Sequence, residues 1–170
     1  MPDKTKAKKV ALYGIMIALA AIMSFIESLI PISLGIPGAK LGLANLVTIV
    51  CLYTIGDKAA IVVSIFRIIL VGLLFGNMFS ILYSLSGGIV SLVCMLIAKR
   101  IGRLSAAGVS IVGGVMHNIG QLTAAAIIIH NIRIAYYMPV LMLAGVVCGI
   151  VIGVLGAIII KRVRNIVNIL

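Results

Sequence analysis

G-G-V-M-H-N-I-G-Q-L-T, from Gly113 to Thr123, sets an imidazole and two amides in the middle of an apolar run. The surrounding stretch carries no formal charge from Ala106 to Ile129. A helix over it is ~36 Å long at 1.5 Å per residue, enough to cross a hydrocarbon core of roughly 30 Å. His117 and Gln121, four residues apart, share one helix face, with Asn118 one step round. Facing lipid, each unsatisfied polar group would cost several kcal/mol, so this face must meet other helices or a cavity. Two readings follow: polar glue between packed helices, or the wall of a ligand pocket.

The rest of the chain has the same character. Of 170 residues, 64% are hydrophobic and 10% charged, a composition far from that of a soluble domain. Fourteen Lys and Arg stand against three acids. No segment is polar enough to form a basic nucleic-acid-binding domain, so nucleic acid is excluded as a partner and the excess is read through the positive-inside rule. Cys51, Cys94 and Cys148 lie inside apolar runs without metal-ligand spacing and read as packing residues.

Working outward, the sequence predicts one all-α, polytopic membrane domain over residues 1–170. A basic tail (1–9) precedes six transmembrane helices at about 10–30, 41–55, 59–75, 78–98, 106–129 and 134–160. The tail runs into the first helix without a typical signal-peptide cleavage site, which predicts an uncleaved anchor. Both termini are expected in the cytoplasm. That topology puts Lys4, Lys6, Lys8, Lys9, Lys58, Lys99, Arg100, Arg103, Lys161, Arg162 and Arg164 inside and only Lys40 and Arg133 outside. Ala7, Ala11, Gly14, Ala18 and Ala21 draw a stripe of small side chains down the first helix, a surface for close approach of another helix of this chain or of a separate subunit. Gly145, Gly149, Gly153 and Gly156 form a second small-residue seam on the last helix.

Between the first two helices, P-I-S-L-G-I-P-G-A-K (Pro31–Lys40) forbids regular helix. The short second helix after it suggests that this segment folds inward over part of the bilayer depth, tolerated only where it lines protein or a cavity. Glu27 is the only carboxylate inside an apolar segment, and Arg67 stands at the centre of the third helix. An Arg there costs about 2.5–3.5 kcal/mol to insert, so it needs a partner. Either Glu27 pairs with it structurally, or Arg67 is a cation awaiting an anionic or strongly polar ligand. Glu27, Lys40, Asn45, Arg67, Asn77, His117, Asn118 and Gln121 together make a candidate substrate-binding set, placed to line a cavity that opens away from the cytoplasm.

Catalytic parts are missing from this pattern. There is no P-loop. Asp3 and Asp57, the only aspartates, are far apart and cannot hold magnesium against a diphosphate. No nucleophile is arranged with His117. The chain is read as a non-enzyme without cofactor or metal, with lipid and a small-molecule substrate as partners.

P-G-A-K-L-G-L-A-N (Pro37–Asn45), F-R-I-I-L-V-G-L-L-F-G (Phe66–Gly76), S-L-S-G-G from Ser84 and H-N-I-G-Q from His117 resemble a bacterial membrane family labelled Gx transporter or heptaprenyl diphosphate synthase component I. The resemblance covers about residues 8–162. The six-helix layout and the first-helix stripe are similar to substrate-binding S components of energy-coupling factor transporters. In that group the first helix meets a transmembrane coupling subunit through an A-x-x-x-A-like pattern, approximated here by Ala11, Gly14, Ala18 and Ala21, and cytoplasmic ATPases drive transport. The resemblance implies an S-component-like bundle in a bacterial plasma membrane that captures a small polar or anionic substrate. The synthase label implies an alternative: a noncatalytic membrane subunit in isoprenoid or quinone metabolism, or in membrane electron transfer.

Overall fold

A computed structural model describes residues 4–29 and 42–167. Among these residues six α-helices follow one another: α1 (Lys4–Leu29), α2 (Leu43–Thr54), α3 (Asp57–Phe75), α4 (Met78–Ile101), α5 (Ala106–Ile129) and α6 (Met138–Val167), with a 3-10 turn at Ile132–Tyr137 before α6. No strand occurs among the described residues. Five of these helices are long and apolar enough to cross a membrane, which makes this a multi-pass membrane protein. Val10, Ile15, Leu73, Phe79, Leu143 and Val147 are each more than half exposed, as side chains facing lipid should be.

α2 is shorter still than the predicted 41–55. Its 12 residues rise only ~18 Å, so by itself it spans part of the hydrocarbon depth. The predicted boundaries shift elsewhere too. α1 starts at Lys4 rather than Val10, because Lys and Ala in the basic tail are good helix formers and continue the turn pattern. α4 runs on to Ile101, where Gly102 closes it in the left-handed conformation (φ 72°). α6 begins at Met138 rather than Ile134. Asn131 accepts a bond from the Arg133 N–H and holds a 3-10 turn, and Pro139 then lies in the first turn of the helix, where its missing N–H leaves no bond unmade.

Lys99 latches one end of the bundle. Its Nζ, near the end of α4, donates to Asp57 Oδ1 and to the Leu52 carbonyl, both at 2.7 Å, and stands 5.6 Å from the Tyr53 ring centre. The turn between α2 and α3 is thereby tied to α4. Above the latch lies an apolar core of Ile49, Cys51, Leu52, Val63, Met95 and Val109, all fully buried, joined by Ala20 of α1.

Small residues set the helix spacing. Gly145, Gly149 and Gly153 of α6 lie against Gly114, Ile111 and Ala107 of α5, and Gly156 lies against Ile49 of α2. On α4, Gly87 meets His117 and Gln121 of α5 while Gly88 meets Ile68 of α3. A Cβ at most of these positions would sit within 3.0 Å of a neighbour, so the close packing needs glycine.

Candidate functional site

Counting along the helices from the latched end puts the polar residues at one level. Arg67 lies ~15 Å along α3, Asn45 ~14 Å along α2, Ser91 ~15 Å along α4 and His117 ~16 Å along α5. On α3, whose 19 residues rise ~28 Å, that level is the middle of the helix. Here three adjoining cavities meet, and Arg67 lines all of them.

The central cavity, about 70 Å³, is bounded by Glu27, Gly42, Asn45, Arg67, Ser84, His117 and Asn118, and by Gly145, Cys148 and Gly149 of α6. A second, about 170 Å³, shares Glu27, Arg67, Ile68 and Ser84 with it and runs away from the latch toward Ser28, Phe75, Gly76 and Ser80. The third is a polar void of about 10 Å³ between Arg67, Asn45, Thr48, Ser64, Ser91 and His117. It has room for no more than one water.

Glu27 and Arg67 border the same space without forming an ion pair. The ion pairs among the described residues are those of Asp57 with Lys99 and Arg100. Instead, Glu27 Oε1 accepts a 2.6 Å bond from the Gly42 N–H, and Arg67 Nη1 donates to Ser24 Oγ at 3.2 Å. Arg67 Nε is buried with no hydrogen-bond partner among the described residues. Gly42 has φ 79°, and its carbonyl accepts the Asn45 N–H at 2.8 Å. The amino-terminal turn of α2 is thus fixed beside the cavity, where a half-length helix directs its unsatisfied N–H groups and the positive end of its dipole.

The other residues read from sequence divide clearly. Asn118 Nδ2 donates to the Leu141 carbonyl at 2.6 Å, tying α5 to α6, while the same side chain lines the central cavity. Gln121 is 2% exposed and lies under Gly87 outside the three cavities, and its Nε2 finds no partner. Asn77 is exposed at the start of α4 and caps that helix by accepting the Ser80 N–H at 2.8 Å, away from the cavities. Lys40 and the segment Pro31–Lys40 lie outside the described residues. Of the α1 stripe, Ala11, Gly14 and Ala18 are exposed, and a Cβ on Gly14 would meet nothing within 4 Å, whereas Ala21 is buried in the bundle.

The sequence pattern does not single out Ser24, Gly42, Ser84 or Cys148 as site residues. Ser24 was accessible, being three residues before Glu27 and so on its face of α1. Gly42 acts through its backbone N–H, which no side-chain pattern reveals. Among the described residues no group of three or more His, Cys, Asp or Glu comes together.

A family model described as heptaprenyl diphosphate synthase component I matches residues 16–159. No curated protein and no solved structure matches the chain.

Proposed function

The chain belongs to the heptaprenyl diphosphate synthase component I family, and from that premise we propose that it is a noncatalytic, substrate-binding membrane subunit that works with partners. It captures a small polar or anionic molecule in a cavity open to the outer side and passes it on with help from an ATP-driven module, as S components of energy-coupling factor transporters do. In this reading the chain crosses the membrane six times, and both termini face the cytoplasm.

The observation that carries this reading is Arg67. It stands on the wall of all three cavities of the site, with a buried Nε that no group among the described residues satisfies. A buried donor without a partner costs about 1–3 kcal/mol, more on a charged group, and a ligand that accepts from it recovers that energy. The exposed Ala11, Gly14 and Ala18 leave a smooth strip on α1 for a transmembrane coupling subunit. A prenyl-transfer role for this chain is disfavoured by its composition. Asp3 and Asp57 are its only aspartates, and Asp57 is held by Lys99.

The family name supports a second reading, a noncatalytic partner in isoprenoid or quinone metabolism or in membrane electron transfer. Gentle purification of the tagged chain from its native membrane separates the two. Copurifying coupling subunit and ATPases support the first; a prenyl synthase or redox protein, with no ATPase, supports the second. Unchanged ligand uptake by folded Arg67→Ala and His117→Ala variants would remove the basis of the first.

A further inference from the structure

We propose that the two larger cavities take a small zwitterion, a molecule of amino-acid size bearing both an ammonium and a carboxylate, in preference to a net anion such as a phosphate or diphosphate. The proposal rests on the binding-subunit reading and narrows its substrate class.

The argument starts from the way the two charges are held. Attraction between opposite charges grows as separation and dielectric fall, so a purely structural Glu27–Arg67 pair in this interior would close to direct contact. Here it does not. The Gly42 N–H holds Glu27, Ser24 Oγ engages Arg67, and both charged side chains line both cavities. Among the described residues the site therefore balances one carboxylate against one guanidinium, an anionic pole and a cationic pole held out of direct contact by separate protein groups.

Each pole retains binding capacity. A carboxylate offers about four lone-pair positions, of which the Gly42 N–H takes one. Arg67 Nε is unpartnered. A ligand ammonium on Glu27 and a ligand carboxylate on Arg67 would leave every charge in the site balanced. A phosphate or diphosphate would satisfy Arg67 but set its remaining negative charge beside the Glu27 carboxylate, where like charges repel. The amino-terminal end of α2 is already faced by Glu27, whose Oε1 accepts the Gly42 N–H, so a ligand carboxylate is directed to Arg67.

Size agrees with charge. The larger cavity, about 170 Å³, is close to the ~150 Å³ that admits a benzene molecule, and the central one is smaller. A few heavy atoms fit; a seven-unit prenyl chain does not.

Cys148 provides the test, because it lines the central cavity. In a Cys51→Ser, Cys94→Ser background, maleimide modification of Cys148 is followed with pooled free amino acids, inorganic phosphate, pyrophosphate or acetate present. Small molecules released from the gently purified protein are identified by mass spectrometry in parallel. The expected result is protection by one or more amino acids, a released compound carrying both ammonium and carboxylate, and loss of both signals by about tenfold or more in Glu27→Gln and in Arg67→Gln. Arg67→Lys, which keeps the charge, serves as the second variant if Arg67→Gln misfolds, and should retain part of the protection. Protection by phosphate, pyrophosphate or acetate that survives Glu27→Gln, with a released anion lacking any cationic group, would overturn the zwitterion assignment and leave the binding subunit standing. No protection by any probe and no released compound beyond lipid would overturn both.

Discussion

Gly114 of α5 and Gly145 of α6 meet backbone to backbone: a Cβ on Gly114 would sit 2.5 Å from the Gly145 carbonyl oxygen, and one on Gly145 would sit 2.9 Å from that of Gly114. Both residues also border the central cavity, so this contact sets the distance between two of its walls. Alanine at either position must move a helix, because the obstructing atoms are backbone. Gly114→Ala and Gly145→Ala are each expected to destabilise the folded protein by about 1–3 kcal/mol, outweighing the ~1 kcal/mol gained from better helix propensity. Gly14→Ala is the internal control. Nothing lies within 4 Å of its added Cβ, so it should be neutral or slightly stabilising. Thermal unfolding in a mild detergent compares the three, and equal behaviour of Gly14→Ala and Gly145→Ala would contradict the contact.

At the other end of the bundle, Lys99 and Asp57 are each about two-thirds covered, while Arg100, the second cation on Asp57, is 76% exposed and 3.7 Å away. A double-mutant cycle with Lys99→Met and Asp57→Asn should give a coupling of about 1 kcal/mol, reduced by added salt. Lys99→Met alone should cost more than Asp57→Asn, because it also strips the Leu52 carbonyl of its donor. Arg100→Gln should change stability by less than about 0.5 kcal/mol. A larger loss from Arg100 than from Lys99 would show that the latch is wrongly drawn.

The helices and the mid-depth polar level could be read from the sequence because hydropathy, turn residues and lysine placement all point one way. Arg67, His117 and Asn45 fall at one depth by simple residue counting. What could not be read depends on tertiary neighbours. Gln121 shares the His117 face by its spacing of four, yet Gly87 of α4 covers it and removes it from the cavity wall. Asn77 was grouped with the cavity by its place at an outer turn, although a helix-capping Asn explains it and the Ser80 N–H uses its oxygen. The separation of Glu27 from Arg67 turns on the Gly42 N–H, whose position depends on how the chain enters α2. I-R-I-A-Y-Y is apolar enough to read as helix and belongs to the apolar span, whereas the structure winds it as a 3-10 turn and starts α6 at Met138, just before Pro139.

Asn118 separates the glue and pocket readings of the opening stretch within one side chain. Its 2.6 Å bond to the Leu141 carbonyl crosses from α5 to α6, and such bonds within membranes average about 0.6 kcal/mol with a maximum near ~1.7. Asn118→Ala should therefore lower stability by about 1 kcal/mol. If the side chain only glues helices, Cys148 protection by bound ligand should be unchanged once temperature is adjusted for the lost stability. A further loss of protection at matched stability would assign Asn118 to the ligand as well.

Orientation in the membrane can be tested directly. Lys58, Lys99, Arg100 and Arg103 gather at the latched end, and an excess of cations marks the cytoplasmic side. The larger cavity extends toward the opposite end, along Phe75, Gly76 and Ser80. Arg103 is exposed and Tyr136 is 84% exposed, so a cysteine at either position is reachable by solvent reagents in a background lacking the native three. In intact cells stripped of any outer barrier, a membrane-impermeant maleimide should modify Tyr136→Cys at once and Arg103→Cys only after the membrane is opened. The reverse order would place the cavity mouth on the cytoplasmic side. Capture from outside would then be impossible, and the chain would have to be a subunit that receives its ligand from the cell interior.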